Sequence, residues 1–218
     1  MADSRSIAEG LLAQGNKLVS AGLVVGSGGN LSGRLPEGDA FIITPSGYSL
    51  AELTPDDLVA VGLDGTLGES RLKPSSEWQM HAEAYKARPD AQVVFHLHPP
   101  VSTTLHAVGR EIRHLTTDHA YYVRDIRSVP YMHSGTLELA QAVAARLAAA
   151  DVVLLKHHGC LLVADSVDLA YQRAMNLEAA AIATYRAVML GDETTVTPPE
   201  YMERILALEA AGQGYGKH

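Results

Sequence analysis

Two histidines one residue apart, at the end of an apolar run, are the residues of this chain best placed to do chemistry. In Val93-Val94-Phe95-His96-Leu97-His98 a β-strand's period of two turns both imidazoles to one side. Two nitrogens on one side can share a metal ion, which then needs further nitrogen or carboxylate ligands at about 2.0–2.2 Å. The candidates are Glu77, in Pro74-Ser75-Ser76-Glu77, and the pair His157-His158, in Leu154-Leu155-Lys156-His157-His158-Gly159. Adjacent extended residues face opposite ways, so only one of the pair can point inward, and Gly159 favours His158 as the residue at a turn. A carboxylate on such an ion would ligate at rest and carry a proton once substrate displaces it.

Three short segments offer donors for an anion. The run Val24-Val25-Gly26-Ser27-Gly28-Gly29-Asn30-Leu31-Ser32-Gly33 is dense enough in glycine to be a loop with a purpose. It is not a dinucleotide fingerprint, since Leu31 stands where the third glycine of G-x-G-x-x-G belongs, and it lacks the P-loop Gly-Lys. What remains is a set of amides that, with the Asn30 side chain, could hold a phosphate. Ser75 and Ser76 add hydroxyls at the start of a helix, and Ser46-Gly47 forms another tight turn. One shared anion accounts for all three. Ser76 and Gln79 also match a capping box, which would place Glu77 in the helix's first turn. His81, His106, His114 and His133 have unremarkable surroundings and read as surface or helix residues, and Cys160 as a small buried apolar side chain.

The elements that position these residues follow from periodicity and turn chemistry. Helices are expected near 7–19, 76–88, 99–108, 136–149, 168–190 and 198–211, and strands near 40–44, 58–63, 91–97, 126–131, 152–156 and 161–164. Asp64-Gly65 is a hairpin signal, and the segment with Asp118, His119, Tyr121 and Tyr122 reads as a loop. Strand pairs punctuated by helices suggest an α/β fold of three layers, helix/sheet/helix, around a central, largely antiparallel mixed sheet. One domain over 1–218 is expected, with a flexible C-terminal tail from about 212.

Composition limits the partners. A formal net charge of −8 argues against nucleic acid, whose phosphates need clustered Lys and Arg. No apolar run is long enough to span a membrane, no secretory leader is apparent, and there is one cysteine, so a soluble cytoplasmic protein is expected.

Taken together, Gly29-Asn30-Leu31-Ser32, Thr44-Pro45-Ser46-Gly47, Pro74-Ser75-Ser76-Glu77, His96-Leu97-His98 and His157-His158-Gly159 resemble the class II aldolase and adducin-head family, in its fuculose-phosphate aldolase branch. The resemblance implies a zinc-dependent homotetramer with active sites at subunit boundaries, acting on a sugar phosphate. Its reaction would split a ketose 1-phosphate, fuculose 1-phosphate or a related deoxy sugar, into dihydroxyacetone phosphate and a small hydroxyaldehyde. In that pattern His96, His98 and His158 match the histidine ligands, and Glu77 the fourth ligand and acid/base. Gly29, Asn30, Ser46, Gly47, Ser75 and Ser76 match the phosphate cradle. Tyr215 matches a catalytic tail tyrosine; a second family tyrosine has no clean counterpart, and Asp118, His119, Tyr121 or Tyr122 could serve instead. Histidine and carboxylate ligands also accept manganese or cobalt in place of zinc. The same scaffold supports a sugar-phosphate 4-epimerase, a dehydratase or a 3-oxo-tetronate phosphate decarboxylase. An adducin-like interaction module is the non-catalytic alternative.

Overall fold

Strand alternation fixes which side chains can gather around His96. The computed structural model describes residues 4–213 and contains one seven-stranded sheet. Its strands are β1 (Asn30–Arg34), β2 (Ala40–Ile43), β3 (Val59–Gly62), β4 (Val93–Leu97), β5 (Ile126–Val129), β6 (Val152–Leu155) and β7 (Gly159–Ala164), in the order β3-β2-β1-β4-β7-β6-β5. Every pairing is antiparallel except β5 with β6. This is the expected three-layer α/β arrangement. On one face α1 (Ser4–Ser20) and α6 (Val167–Met189) pack against the sheet, with α3 (Pro100–Ala107), α4 (Thr117–Val123) and α7 (Pro199–Ala210) beside them. On the other lie α2 (Trp78–Ala87) and α5 (Leu137–Leu147).

The two cores divide along each strand with a period of two. Val93, Phe95 and Leu97 of β4 join Leu162 and Ala164 of β7 under α1 and α6. Val94 joins Leu161 and Val163 under α2 and α5, and His96 shares the parity of Val94. The helices that cover these faces are well signposted. Thr136 and Ser166 accept the amides of Leu139 and Leu169 at the starts of α5 and α6. The start of α3, just after His98, is capped from a distance. Glu178 on α6 accepts from the amides of Val101 and Ser102 at 2.8 and 2.9 Å and from the Ser102 hydroxyl at 2.7 Å.

Three expectations are corrected. The glycine-rich loop ends at Gly29, and Asn30–Arg34 is an inner strand of the sheet, between β2 and β4. No β-branched residue marks it, and pairing on both sides makes it a strand. At Gly33 a Cβ would lie 2.4 Å from Ile7 Cγ2, so glycine there lets α1 seat on the sheet. Second, the segment holding Asp118, His119, Tyr121 and Tyr122 is the helix α4, with Thr116 accepting from the His119 amide. Third, the capping box at Ser76 does not form. Glu77 is itself the N-cap residue of α2, and Ser76 is exposed. Ser75 takes the nearby donor instead, its hydroxyl accepting from the Glu77 amide at 3.3 Å. Tyr215 and all but the first residues of the expected tail lie outside the described residues. Among the described residues no helix is long and apolar enough to cross a membrane.

Candidate functional site

The end of β4 and the turn between β6 and β7 bring three imidazoles together. Ligand atoms of His96, His98 and His158 lie within 4.8 Å of one another. His157 takes a positive φ of 60° at the reversal, and the His158 amide closes the turn on the Leu155 carbonyl at 3.1 Å. His158 is thereby set 4.7 Å from His96 between ring centroids, while His157 lies near Tyr131, 6.4 Å away. Gly159 permits the closeness, since a Cβ there would stand 2.2 Å from the Leu97 carbonyl oxygen.

Glu77 closes the cluster from the α2 side. Its Oε2 lies 3.0 Å from His96 Nε2 and its Oε1 3.4 Å from His158 Nε2. Burial pushes its carboxyl pKa up, but His96, His158 and the Asn30 amide outweigh that and hold it at about 2. Burial first, then the neighbouring His96 and His158, pushes His98 down to about 4. Burial and His96 also lower His158. The carboxylate is therefore ionised, and His98 and His158 are neutral, at physiological pH.

Hydrogen bonding assigns the lone pairs. His96 Nδ1 lies 2.9 Å from the Cys160 carbonyl, which can only accept, so Nδ1 carries a proton and Nε2 is the ring nitrogen turned to the cluster. That nitrogen faces His98 Nε2 at 2.9 Å, and Glu77 Oε1 is buried with no hydrogen-bond partner. A divalent cation answers both features. Ligands on a tetrahedral ion at 2.0–2.1 Å stand about 3.3 Å apart, close to the spacings here. The donor set, imidazole nitrogen with carboxylate oxygen, suits zinc and its neighbours in the first transition row.

The turns singled out as anion donors are stitched to this site through Thr44. Its amide bonds the Leu31 carbonyl at 3.0 Å, its hydroxyl accepts from the Leu31 amide at 3.1 Å, and its carbonyl accepts from the Ser75 amide at 3.1 Å. Pro45 and Pro74 form a bridge, and the Ser46 amide bonds Lys73. Ser46-Gly47 and Ser75-Ser76 are thus neighbours, and Ser75 directly precedes Glu77's turn. Gly29, at φ +71°, packs against β4, where a Cβ would lie 2.8 Å from the His96 carbonyl oxygen. Asn30 is engaged otherwise than expected, its side chain spanning Glu77 and His81. His81, which reads as unremarkable in the sequence, is completely buried. The signal for it was Glu77, His81 and Tyr85 at i, i+4 and i+8 on one helix face. Helix α4, with Asp118, His119, Tyr121 and Tyr122, packs on α6, on the sheet face opposite α2.

Residues 9–185 match the family profile described as Class II Aldolase and Adducin N-terminal domain. The chain belongs to that family. This class II aldolase is similar to a 5-deoxy-D-ribulose 1-phosphate aldolase of Bacillus thuringiensis serovar kurstaki, with 34% identity covering 96% of each chain. It is also 35% identical to a 5-methylthioribulose-1-phosphate/5-deoxyribulose-1-phosphate aldolase of Rhodospirillum rubrum, covering 92% of this chain and 90% of the relative. A solved structure named L-fuculose 1-phosphate aldolase superposes with a TM-score of 0.85 at 33% identity, covering 97% of this chain and 98% of that one. The class II aldolase is therefore a lyase, with a histidine cluster able to hold the divalent metal that such enzymes use.

Proposed function

We propose that this aldolase is zinc-dependent and reversibly cleaves a ketose 1-phosphate of deoxy-sugar type to dihydroxyacetone phosphate and a short aldehyde. The observation that carries this reading is the Glu77 carboxylate meeting His96 and His158 beside His98. Glu77, His96, His98 and His158 would hold zinc, with manganese or cobalt as substitutes. When bound, the cation supplies positive charge against the electron pair left on the ketose fragment as the C3–C4 bond breaks. Gly29, Ser46, Gly47, Ser75 and Ser76 cradle the phosphate, fixing the reacting carbons from a distance, while the Asn30 side chain is given to Glu77 and His81 instead. Glu77 delivers a proton to C3 at the end of cleavage and removes it at the start of synthesis. The C4 hydroxyl proton must leave at the same time, so that an aldehyde forms. Tyr215 is assigned that task, with Asp118, His119, Tyr121 or Tyr122 as the alternatives, supplied across a subunit boundary in a cytoplasmic homotetramer of single-domain chains.

Two relatives covering at least nine tenths of this chain are named for 5-deoxyribulose 1-phosphate, whereas the solved structure is named for fuculose 1-phosphate. Both sugars give dihydroxyacetone phosphate; the first releases acetaldehyde and the second lactaldehyde. The test is to supply each sugar phosphate, with rhamnulose 1-phosphate, to the zinc-loaded protein and to follow dihydroxyacetone phosphate and the aldehyde. Production that chelation abolishes and zinc restores is expected. No production from any of them would overturn the reading.

A further inference from the structure

Glu77 is held from behind by a line of buried polar groups running between α2 and β1. His81 and Tyr85 follow Glu77 by one and two helical turns, and Asn30 and Ser32 occupy alternate positions of β1. A carboxylate only accepts, so Asn30 turns its amide nitrogen to Glu77 Oε2, at 3.1 Å. Asn30 Oδ1 then faces His81 Nε2 at 2.5 Å and, being an acceptor, fixes the imidazole proton on Nε2. Nδ1 is left bare and takes the Ser32 hydroxyl proton at 2.6 Å; Ser32 Oγ in turn takes the Tyr85 phenol proton at 2.9 Å. Every donor in the chain points towards Glu77.

These groups are all buried, so no solvent replaces a lost partner. Burial, with His96 nearby, also lowers His81 to about 3, and burial raises the Tyr85 phenol. Both remain neutral, so the line orients a charge without carrying one. We propose that Tyr85, Ser32 and His81 are positioning residues for Glu77. Acting through Asn30, they present one N–H to Oε2, hold the carboxyl plane, and leave Oε1 as the oxygen that exchanges a proton with substrate. This rests on Glu77 moving that proton, as proposed above, and on no contact between the three residues and substrate.

The test compares His81→Leu with His81→Gln in the zinc-loaded full chain. Leucine removes both polar atoms, whereas glutamine keeps a donor and an acceptor at a spacing close to that of the two ring nitrogens. His81→Leu is expected to lower kcat by about 10- to 100-fold, with KM changed less than about threefold, while His81→Gln restores most of the loss. Equal losses in the two variants, or a loss carried by KM, would overturn the proposal. A second readout needs no turnover. In the metal-free wild type, nitrogen NMR of His81 is expected to show Nε2 protonated and Nδ1 bare, and Ser32→Ala is expected to keep that tautomer, because Asn30 Oδ1 still accepts from Nε2. The opposite tautomer overturns the positioning line whatever the activity. A wild type that shows the expected tautomer but cleaves no ketose phosphate sinks the proposed ketose 1-phosphate reading and leaves the line standing.

Discussion

Gly159→Ala is a single methyl group aimed at the joint between the sheet and the histidine cluster. The added Cβ would lie 2.2 Å from the Leu97 carbonyl oxygen, 3.2 Å from the Leu97 carbonyl carbon and 2.7 Å from His98 Cδ2, against 3.4 Å or more for an ordinary contact. The first neighbour is backbone, in the strand pair that matches Leu97 with Cys160, so no side-chain rotation relieves it. Relief requires β4 and β7 to part locally by roughly 1 Å, or His98 to tip away from His96. Overpacking of this kind costs about 1–3 kcal/mol, which in a chain of this length lowers Tm by roughly 2–10 °C. Metal sites tolerate only about ±0.2 Å in ligand distance, so cation affinity should fall by at least about tenfold. Calorimetry of the metal-free protein reads the first effect, and cobalt titration followed by absorbance reads the second. Gly10→Ala is the control. Its Cβ meets only Val167 Cγ2, at 3.6 Å, inside α1, so about 0.5–1 kcal/mol of stabilisation is expected with metal binding unchanged. A Gly159→Ala protein that melts with the wild type and binds cobalt as tightly refutes the packing argument.

Glu77→Gln keeps the shape of the site but removes the proton carrier, so kcat should fall by about 10²–10⁴-fold in a dihydroxyacetone phosphate assay. Activity within tenfold of wild type would assign the proton to another group. Glu178→Ala strips three donors at the start of α3 of their acceptor, and urea unfolding should show a loss of about 2–4 kcal/mol; a loss under 1 kcal/mol would count against the long-range cap. His81 and His98 have folded pKa values near 3 and 4, against an ordinary 6.5, so on acidification the unfolded chain takes up protons before the folded one does. Stability of the metal-free protein should be full above pH 6.5 and fall below it towards pH 4. The fall is about 1.4 kcal/mol per pH unit for the fully buried His81, with less from the partly exposed His98. Urea midpoints that stay flat between pH 7 and 5 would contradict those protonation states.

The sequence by itself determined whatever short-range pattern can encode. A period of two put His96 and His98 on one side of β4, apolar runs gave β6 and β7, and Gly159 picked His158 from its pair. Helical periodicity located six of the seven α-helices among the described residues to within a few residues. Where two local rules competed, the reading failed. Ser76 satisfies a capping box on paper, yet Pro74 pairs with Pro45 and the helix starts one residue later, with Glu77 as its N-cap. Short α4 and strand β1 carry too little periodicity to be seen.

Only the tertiary structure decided what surrounds the carboxylate. Asn30 and His81 are 51 residues apart, and Ser32 and Tyr85 53, so no local pattern links them. Their meeting depends on which sheet face α2 covers and on β1 lying beside β4. The identity of the ligands is a property of residue type and spacing, which the chain states directly. The polarity of each hydrogen bond around them is a property of neighbours, and those exist only once distant segments have packed.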